Sequence, residues 1–204
     1  FKTTTGTRLS MLSSIEAGGF TWNHECWEPT VFAAQARPVT FPEPFGVRDA
    51  LSFPSGEVIT VPRHIDAARV QTFISVTEDS ALARIFNQGA SLVSPLLGAL
   101  ISSPLGALAK AKLAEHSHDP SDAERERSLF AIVARAERSF ERRQVGVSGA
   151  DPYGVTAEIM AWGAERLVAD GPLGLGVVTP SEAFDPEQGL RAIAEQCELS
   201  VVRQ

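Results

Sequence analysis

The chain has 204 residues, of which 44% are hydrophobic and 21% charged, and its formal net charge is −7 at pH 7. A chain of this length and composition can bury a core, which argues against intrinsic disorder. The negative charge and the lack of a Lys/Arg cluster argue against DNA or RNA as a partner. Cys26 and Cys197 have no spacing signature, so we expect reduced thiols in a cytoplasmic protein, with one disulfide as the alternative.

The first third of the chain predicts one helix followed by short strands. Thr7–Ala17 has apolar residues roughly on one side, and two glycines end this helix. Two runs, Ala50–Phe53 and Glu57–Val61, flank a Pro-Ser-Gly turn, which predicts a β-hairpin. Alternating residues over Arg69–Val76 predict a further strand.

An uncharged segment, Ile85–Ala109, follows a predicted helix over Glu78–Gln88. It is long enough to span a bilayer, but it contains prolines and glycines and repeats itself as "SPLLGAL" and "SPLGAL". Because each repeat offers Ser as a helix cap and Pro in the first turn, we interpret the segment as a buried helical hairpin and expect no membrane span. The alternatives are a dimer face or apolar ligand lining, and a membrane segment.

Two structures fit the residues between Leu129 and Ser148. Apolar residues follow a period of 3.6, which by itself favours a helix: Leu129, Ile132, Val133, Ala136 and Phe140. The alternative is a hairpin in which Leu129–Ala136 turns near Arg138–Glu141 and returns through Gln144–Ser148.

A glycine-rich loop follows the most strongly signalled helix. Asp151 as N-cap and Pro152 as first helical residue predict a buried helix that ends near Ala169. The loop glycines come next: Gly171, Gly174 and Gly176. Loops that bind phosphate precede a helix, whereas these glycines follow one, at the end where the helix dipole is negative. We therefore expect no nucleotide site here.

The last elements are a short helix over Pro186–Gln196 and a strand over Leu199–Val202. Strands and helices are thus mixed along the chain without a regular βαβ alternation. This order predicts an α+β fold.

The closing part of the chain resembles that of saccharopine dehydrogenase-like oxidoreductases. The matching stretch is "GADPYGVTAEIMAWGAERLVADGPLGLGVVTPSEAFDPEQGLRAI", with its "DPY..TA" helix start and its "G..G.GVVTPSEAF" loop. Two other stretches, "GTRLSMLSSIEAGG" and "SFPSGEVITVPRH", resemble the second domain of that family, particularly its trans-acting enoyl reductase-like branch. The resemblance covers most of the chain and is weakest through Ile85–Asp119.

The resemblance implies one substrate-binding and dimerisation domain over residues 1–204, with a mixed, largely antiparallel sheet flanked by helices. Residues 151–204 would return towards a Rossmann domain that holds NAD(P) outside this chain, so no cofactor is expected on these residues. It also implies paired strands over residues 129–148, against the periodicity, and a purely connecting role for the glycine loop. Since the sequence starts at Phe1 without a signal or transit peptide, we expect a piece of a longer protein.

Arg63 and His64 are the best candidates for contact with a substrate. Hydride transfer needs a fixed acceptor carbon and a group that polarises or protonates the neighbouring atom. At the end of a predicted strand, Arg63 could hold a carboxylate and His64 could donate a proton. Tyr153, the only tyrosine, could offer its hydroxyl at a helix N-terminus. The simpler interpretations are solvated side chains for the first two and packing or capping for Tyr153, and no catalytic residue is assigned.

Two functions fit these expectations. The first is the substrate-binding and dimerisation domain of a nicotinamide-dependent oxidoreductase that reduces an imine or an enoyl group, as a homodimer. The uncharged segment favours a small-molecule substrate that is apolar and bulky. The second is a non-catalytic self-association module that keeps the fold. No metal is expected, because the His24/Cys26 and His116/His118 pairs lack zinc-finger spacing.

Overall fold

The computed structural model describes residues 3–75, 103–106, 108, 111–112 and 119–204. These residues form helices and three small antiparallel sheets, which confirms the α+β class. They divide into two compact units. The N-terminal unit contains Thr3–Val39 and Arg48–Asp119, and the C-terminal unit contains Thr40–Val47 and Pro120–Gln204.

The predicted first helix is confirmed as α1, Thr5–Ala17. Thr4 caps it, because its hydroxyl oxygen accepts a hydrogen bond of 3.1 Å from the amide of Thr7. Gly18 has φ +67°, a left-handed value that ends the helix and suits a glycine.

Two three-stranded sheets follow α1, in which β1 pairs antiparallel with β2 and β5, and β4 pairs antiparallel with β6. In the first, β1 lies between β2 and β5; in the second, β4 lies between β3 and β6. The strands are β1 (Gly19–Asn23), β2 (Cys26–Thr30), β3 (Ala36–Phe41), β4 (Gly46–Ser52), β5 (Arg69–Val70) and β6 (Phe73–Ile74). The predicted strand over Arg69–Val76 is therefore interrupted at residues 71–72, and its two parts pair with different sheets.

A small aromatic core joins α1 to the second sheet. Ile15 and Leu51 are buried together with Phe32 and Ala33, and Phe53 packs against them. The rings of Phe32 and Phe53 meet edge to face, with centroids 6.1 Å apart. Ile15 is the only buried residue of α1, so this one side chain carries the contact of the helix with the core.

The predicted hairpin around Pro54-Ser55-Gly56 is wrong in its second half. Residues Glu57–Thr60 form a short helix, α2, and Val61–Arg63 continue it as a 3-10 turn. A short apolar run does not distinguish a strand from a helix. Here Val58 is buried, while Val61 and Pro62, three and four positions on, are half-buried, which is the spacing of one helix face.

Most of the uncharged segment, and the whole helix predicted over Glu78–Gln88, lie outside the described residues. Residues 104–106 are helical, and the Ser103 hydroxyl oxygen accepts a hydrogen bond of 3.2 Å from the amide of Gly106. This agrees with the predicted Ser cap and Pro first turn of the second repeat. Among the residues described, no helix is both long and apolar enough to cross a membrane.

The C-terminal unit is built on a long hairpin. A short helix, α3 (Asp122–Glu126), precedes β7 (Leu129–Arg138) and β8 (Glu141–Ala150), which pair antiparallel over their whole length. The strands implied by the resemblance are thus confirmed, and the helix favoured by the period of 3.6 is wrong. The last strand, β9 (Ser200–Arg203), adds to the other side of β8.

Three helices follow β8: α4 (Pro152–Ala169), α5 (Pro180–Ala183) and α6 (Pro186–Gln196). The predicted bounds of α4 and α6 are confirmed, but the prediction that α4 is buried is wrong, since none of its residues is buried. Trp162 and Gly163 pack against Phe184, with the two ring centroids 5.2 Å apart. Other apolar residues of α4 are exposed, Met160 by 71% and Val168 by 88%.

Candidate functional site

The turn that carries Arg63 and His64 has a defined geometry. The amide of His64 donates to the carbonyl of Val61 at 3.2 Å. Its ring nitrogen Nδ1 lies 2.9 Å from the carbonyl oxygen of Thr60. Because a carbonyl oxygen only accepts, Nδ1 carries the hydrogen, and Nε2 is the accepting nitrogen of the neutral ring. The turn therefore fixes both the orientation and the tautomer of His64.

Two tryptophans hold this turn from both sides. The indole nitrogen of Trp27 donates to the carbonyl of Val58, on the N-terminal side of Arg63 and His64, at 3.3 Å. The indole nitrogen of Trp22 donates to the carbonyl of Ala67, on their C-terminal side, at 2.7 Å. The two residues are opposite each other in the β1–β2 register, and their rings meet edge-on at 5.1 Å. We name this arrangement, residues 58–67 with Trp22 and Trp27, the tryptophan-clamped turn.

The sequence did not assign this positioning role to the tryptophans. Neither their hairpin register nor their distant carbonyl partners are visible in the sequence. The signal that could have found them is two indoles spaced five residues apart around a tight turn. Such indoles face each other once a hairpin forms.

The tryptophan-clamped turn presents its polar side chains to solvent. Arg63 and His64 are both exposed. A cavity beside Val58 has a volume of about 30 Å³, the space of one water molecule, and neither residue lines it. Within the N-terminal unit, the turn is therefore a surface site with a hydrogen-bonded backbone rather than a closed pocket.

Tyr153 lies in the first turn of α4, in the C-terminal unit, and is half-buried. The N-cap of this helix is Asp151, whose Oδ1 accepts a hydrogen bond of 3.0 Å from the amide of Gly154. A side chain at position 154 would place its Cβ 2.4 Å from Asp151 Oδ2, so glycine there makes room for the cap. The proposed role of the Tyr153 hydroxyl stays a prediction, as do the roles of Arg63 and His64.

The glycine-rich loop lies at the C-terminal end of α4, as expected. Gly171 and Gly176 have φ values of +74° and +90°, which glycine adopts without strain. The loop is then fixed by a hydrogen bond of 3.1 Å from the amide of Leu173 to the carbonyl of Ala183. These glycines serve the reversal of the chain between α4 and α5.

The cysteines differ in accessibility. Cys26 is exposed and Cys197 is half-buried, and neither forms a disulfide. Burial raises the pKa of the Cys197 thiol, and the neighbouring Glu158 adds to the effect. Across the part of the chain that the structure describes, no group of three or more His, Cys, Asp or Glu residues is arranged to hold a metal ion.

No family model matches the chain, and no curated protein matches it. Its function is therefore inferred from the sequence motifs and from the geometry of the two units.

Proposed function

We propose that this chain is the substrate-binding and dimerisation domain of a nicotinamide-dependent oxidoreductase of the saccharopine dehydrogenase-like kind. The cofactor would supply the hydride from a domain outside these residues. No strand–glycine loop–helix arrangement for a dinucleotide occurs among the described residues, and the glycine loop has the reverse order. The substrate would be a small molecule with an imine or an enoyl group.

The β7–β8 hairpin supports the family likeness. The resemblance required strands where the residue periodicity favoured a helix, and residues 129–138 and 141–150 are strands. All of α4, and α6 as far as Ile193, lie within the stretch that carries the resemblance. A likeness that predicts a structure against local periodicity is stronger support than one that agrees with it.

The observation that carries the proposal is an exposed apolar surface on α4 and the loop after it. Its side chains are 45–92% exposed: Ile159, Met160, Leu167, Val168, Leu173, Leu175 and Val177. Exposed apolar side chains concentrated on one helix and the loop after it are typical of a contact with another protein surface. We assign this surface, here called the α4 apolar surface, to contact with the cofactor-binding domain.

The tryptophan-clamped turn supplies the groups that would act on the substrate. Arg63 would bind a carboxylate or a polarised carbonyl. Once protonated at both ring nitrogens, His64 would deliver the proton of Nε2 while Nδ1 keeps its hydrogen bond to Thr60. Tyr153 would donate a hydrogen bond from its hydroxyl.

Calorimetric titration with NADPH and NADH tests the proposal. We expect no binding by this chain and clear binding by the same chain joined to its upstream sequence. Micromolar binding by this chain itself would contradict the proposal, because a cofactor site would then exist within these residues. In the joined protein, Val168→Asp should abolish turnover without lowering the unfolding midpoint, whereas the near-isosteric Val168→Thr should retain it.

A self-association module is the second candidate, since the α4 apolar surface could equally be covered by a second copy. Light scattering over a range of concentrations separates the two. A dimer that Val168→Asp dissociates would favour self-association through this surface. If the dimer persists in the Val168→Asp variant, the α4 apolar surface is not the dimer interface, which favours its contact with the cofactor-binding domain.

A further inference from the structure

The α6–β9 region forms a second surface that contains none of the predicted site residues. Helix α6 and strand β9 follow each other in a tight reversal, with the amide of Leu199 donating to the carbonyl of Ala194 at 2.8 Å. Between them lies an open groove of about 570 Å³. Its apolar floor combines Leu190 and Ala194 of α6 with Leu199 and Val201.

The outer edge of β9 carries backbone groups available for another strand. Gln144 and Gln204 exchange two backbone hydrogen bonds of 2.8 Å, so residues 204, 202 and 200 turn their amides and carbonyls towards β8. Val201 and Arg203 alternate with them and therefore point these groups away from β8. Among the described strands, β9 is the end of its sheet. The same two residues line the groove with their side chains.

The two ends of the groove carry opposite charge. At one end, Arg203 lies 2.6 Å and Arg191 3.9 Å from the carboxylate of Glu187, which leaves one positive charge in excess. This end also adjoins the N-terminus of α6, where the helix dipole is positive. At the other end Glu195 lies beside the C-terminus of the helix, where the dipole is negative.

We propose that this groove binds an extended polypeptide segment of a partner protein, which adds as a strand to the free edge of β9. Residues of the segment that face the groove alternate along the strand. In the antiparallel orientation they would be, from N- to C-terminus, an acidic residue opposite Arg203, an apolar residue opposite Val201 and a basic residue opposite Leu199. The edge groups select an extended backbone, and the charged ends select its direction.

A synthetic peptide, acetyl-SDTLTKS-amide, has this pattern and is the probe. Labelled with fluorescein, it should bind saturably by anisotropy. N-methylation of its leucine removes the hydrogen bond to the edge and should weaken binding about 5- to 10-fold. N-methylation of the threonine after the leucine should change the affinity little, because the amide of that threonine points away from β9. The charge-reversed peptide, acetyl-SKTLTDS-amide, should bind about threefold more weakly, and this difference should vanish at high salt.

Protein variants and hydrogen exchange locate the binding. Arg191→Glu should lower the affinity for the probe about threefold or more. Arg142→Glu, which makes the same charge change near the exposed tip of the β7–β8 hairpin, should leave this affinity unchanged. The probe should slow amide exchange at Val201 and Arg203 but not at Val202, which already faces β8.

Three results would overturn the proposal. The first is no saturable binding of the probe. The second is binding without protection of the Val201 and Arg203 amides. The third is a dimer of the free chain in which these amides are already protected, because a second copy would then be the occupant of the edge.

Discussion

Substitutions of Asp151 test how the first turn of α4 is stabilised in the C-terminal unit. Its backbone has φ 47° and ψ 69°, a left-handed conformation that is costly for most residues and easier for Asp, Asn and Gly. Its side chain caps α4 through the amide of Gly154. It also lies 3.7 Å from a guanidinium nitrogen of Arg125. Three substitutions separate these contributions.

The expected losses follow from these contacts. Asp151→Ala loses the cap, worth about 1 kcal/mol, and replaces a residue that tolerates the left-handed region by one that does not, which costs up to about 1 kcal/mol more. We therefore expect a loss of about 2 kcal/mol of folding stability. Asp151→Asn keeps an accepting oxygen and tolerates the same backbone, and loses only the solvent-screened contact with Arg125. Asp151→Gly loses the cap but relieves the backbone, so its loss should be a few tenths of a kcal/mol.

Urea unfolding followed by far-UV circular dichroism measures these differences as shifts of the midpoint at a constant m-value. Amide exchange at Gly154 assigns the effect to the first turn of α4. Equal midpoints for the Ala and Asn variants would refute the capping role. A Gly variant as unstable as the Ala variant would refute the contribution of the left-handed backbone.

Three further predictions concern other parts of the chain. Gly146→Ala should lower the free energy of unfolding by about 1–3 kcal/mol, because the new Cβ would lie 2.6 Å from the ring of Pro42 in the β3–β4 turn. The control is Gly56→Ala, which has open space around it and should be close to neutral in the same urea assay. Iodoacetamide at pH 8 should alkylate the exposed Cys26 before Cys197, whose thiol has a pKa raised by burial; equal rates by mass spectrometry would contradict this. The amide of Thr5, the first of α1, donates a hydrogen bond to Asp119 and lowers the pKa of that carboxyl. This hydrogen bond therefore stabilises the fold above the ordinary carboxyl pKa, and the stabilisation is lost as the pH falls through the lowered pKa of Asp119. An NMR titration without a lowered midpoint would contradict it.

The sequence predicted those elements whose signals are local. The Asp-Pro start of α4 and the bounds of α6 required only residues a few positions apart, because a cap is a hydrogen bond within one turn. The stop of α1 at Gly18 depends on a single backbone conformation. Where one turn of chain contains the whole interaction, the residues identify it.

The candidate site was predictable only in part. Arg63 and His64 were recognised by residue type, but their predicted strand is a helix followed by a 3-10 turn. The Nδ1 hydrogen bond of His64 follows from that turn, since Thr60 is four residues earlier. The clamp by Trp22 and Trp27 depends on carbonyls 45 and 31 residues away, respectively, which no local pattern specifies.

By itself, then, the sequence determined the α+β class, the bounds of α4 and α6, and the end of α1. Residues 129–148 have a helical period yet form strands, because β8 pairs with β7 along one edge and with β9 along the other, and β9 is about 50 residues further along the chain. Likewise, the apolar stripe of α4 did not reveal that only the side near Phe184 would be covered. Tertiary structure decided these points, because strand pairing and burial depend on segments that are distant along the chain.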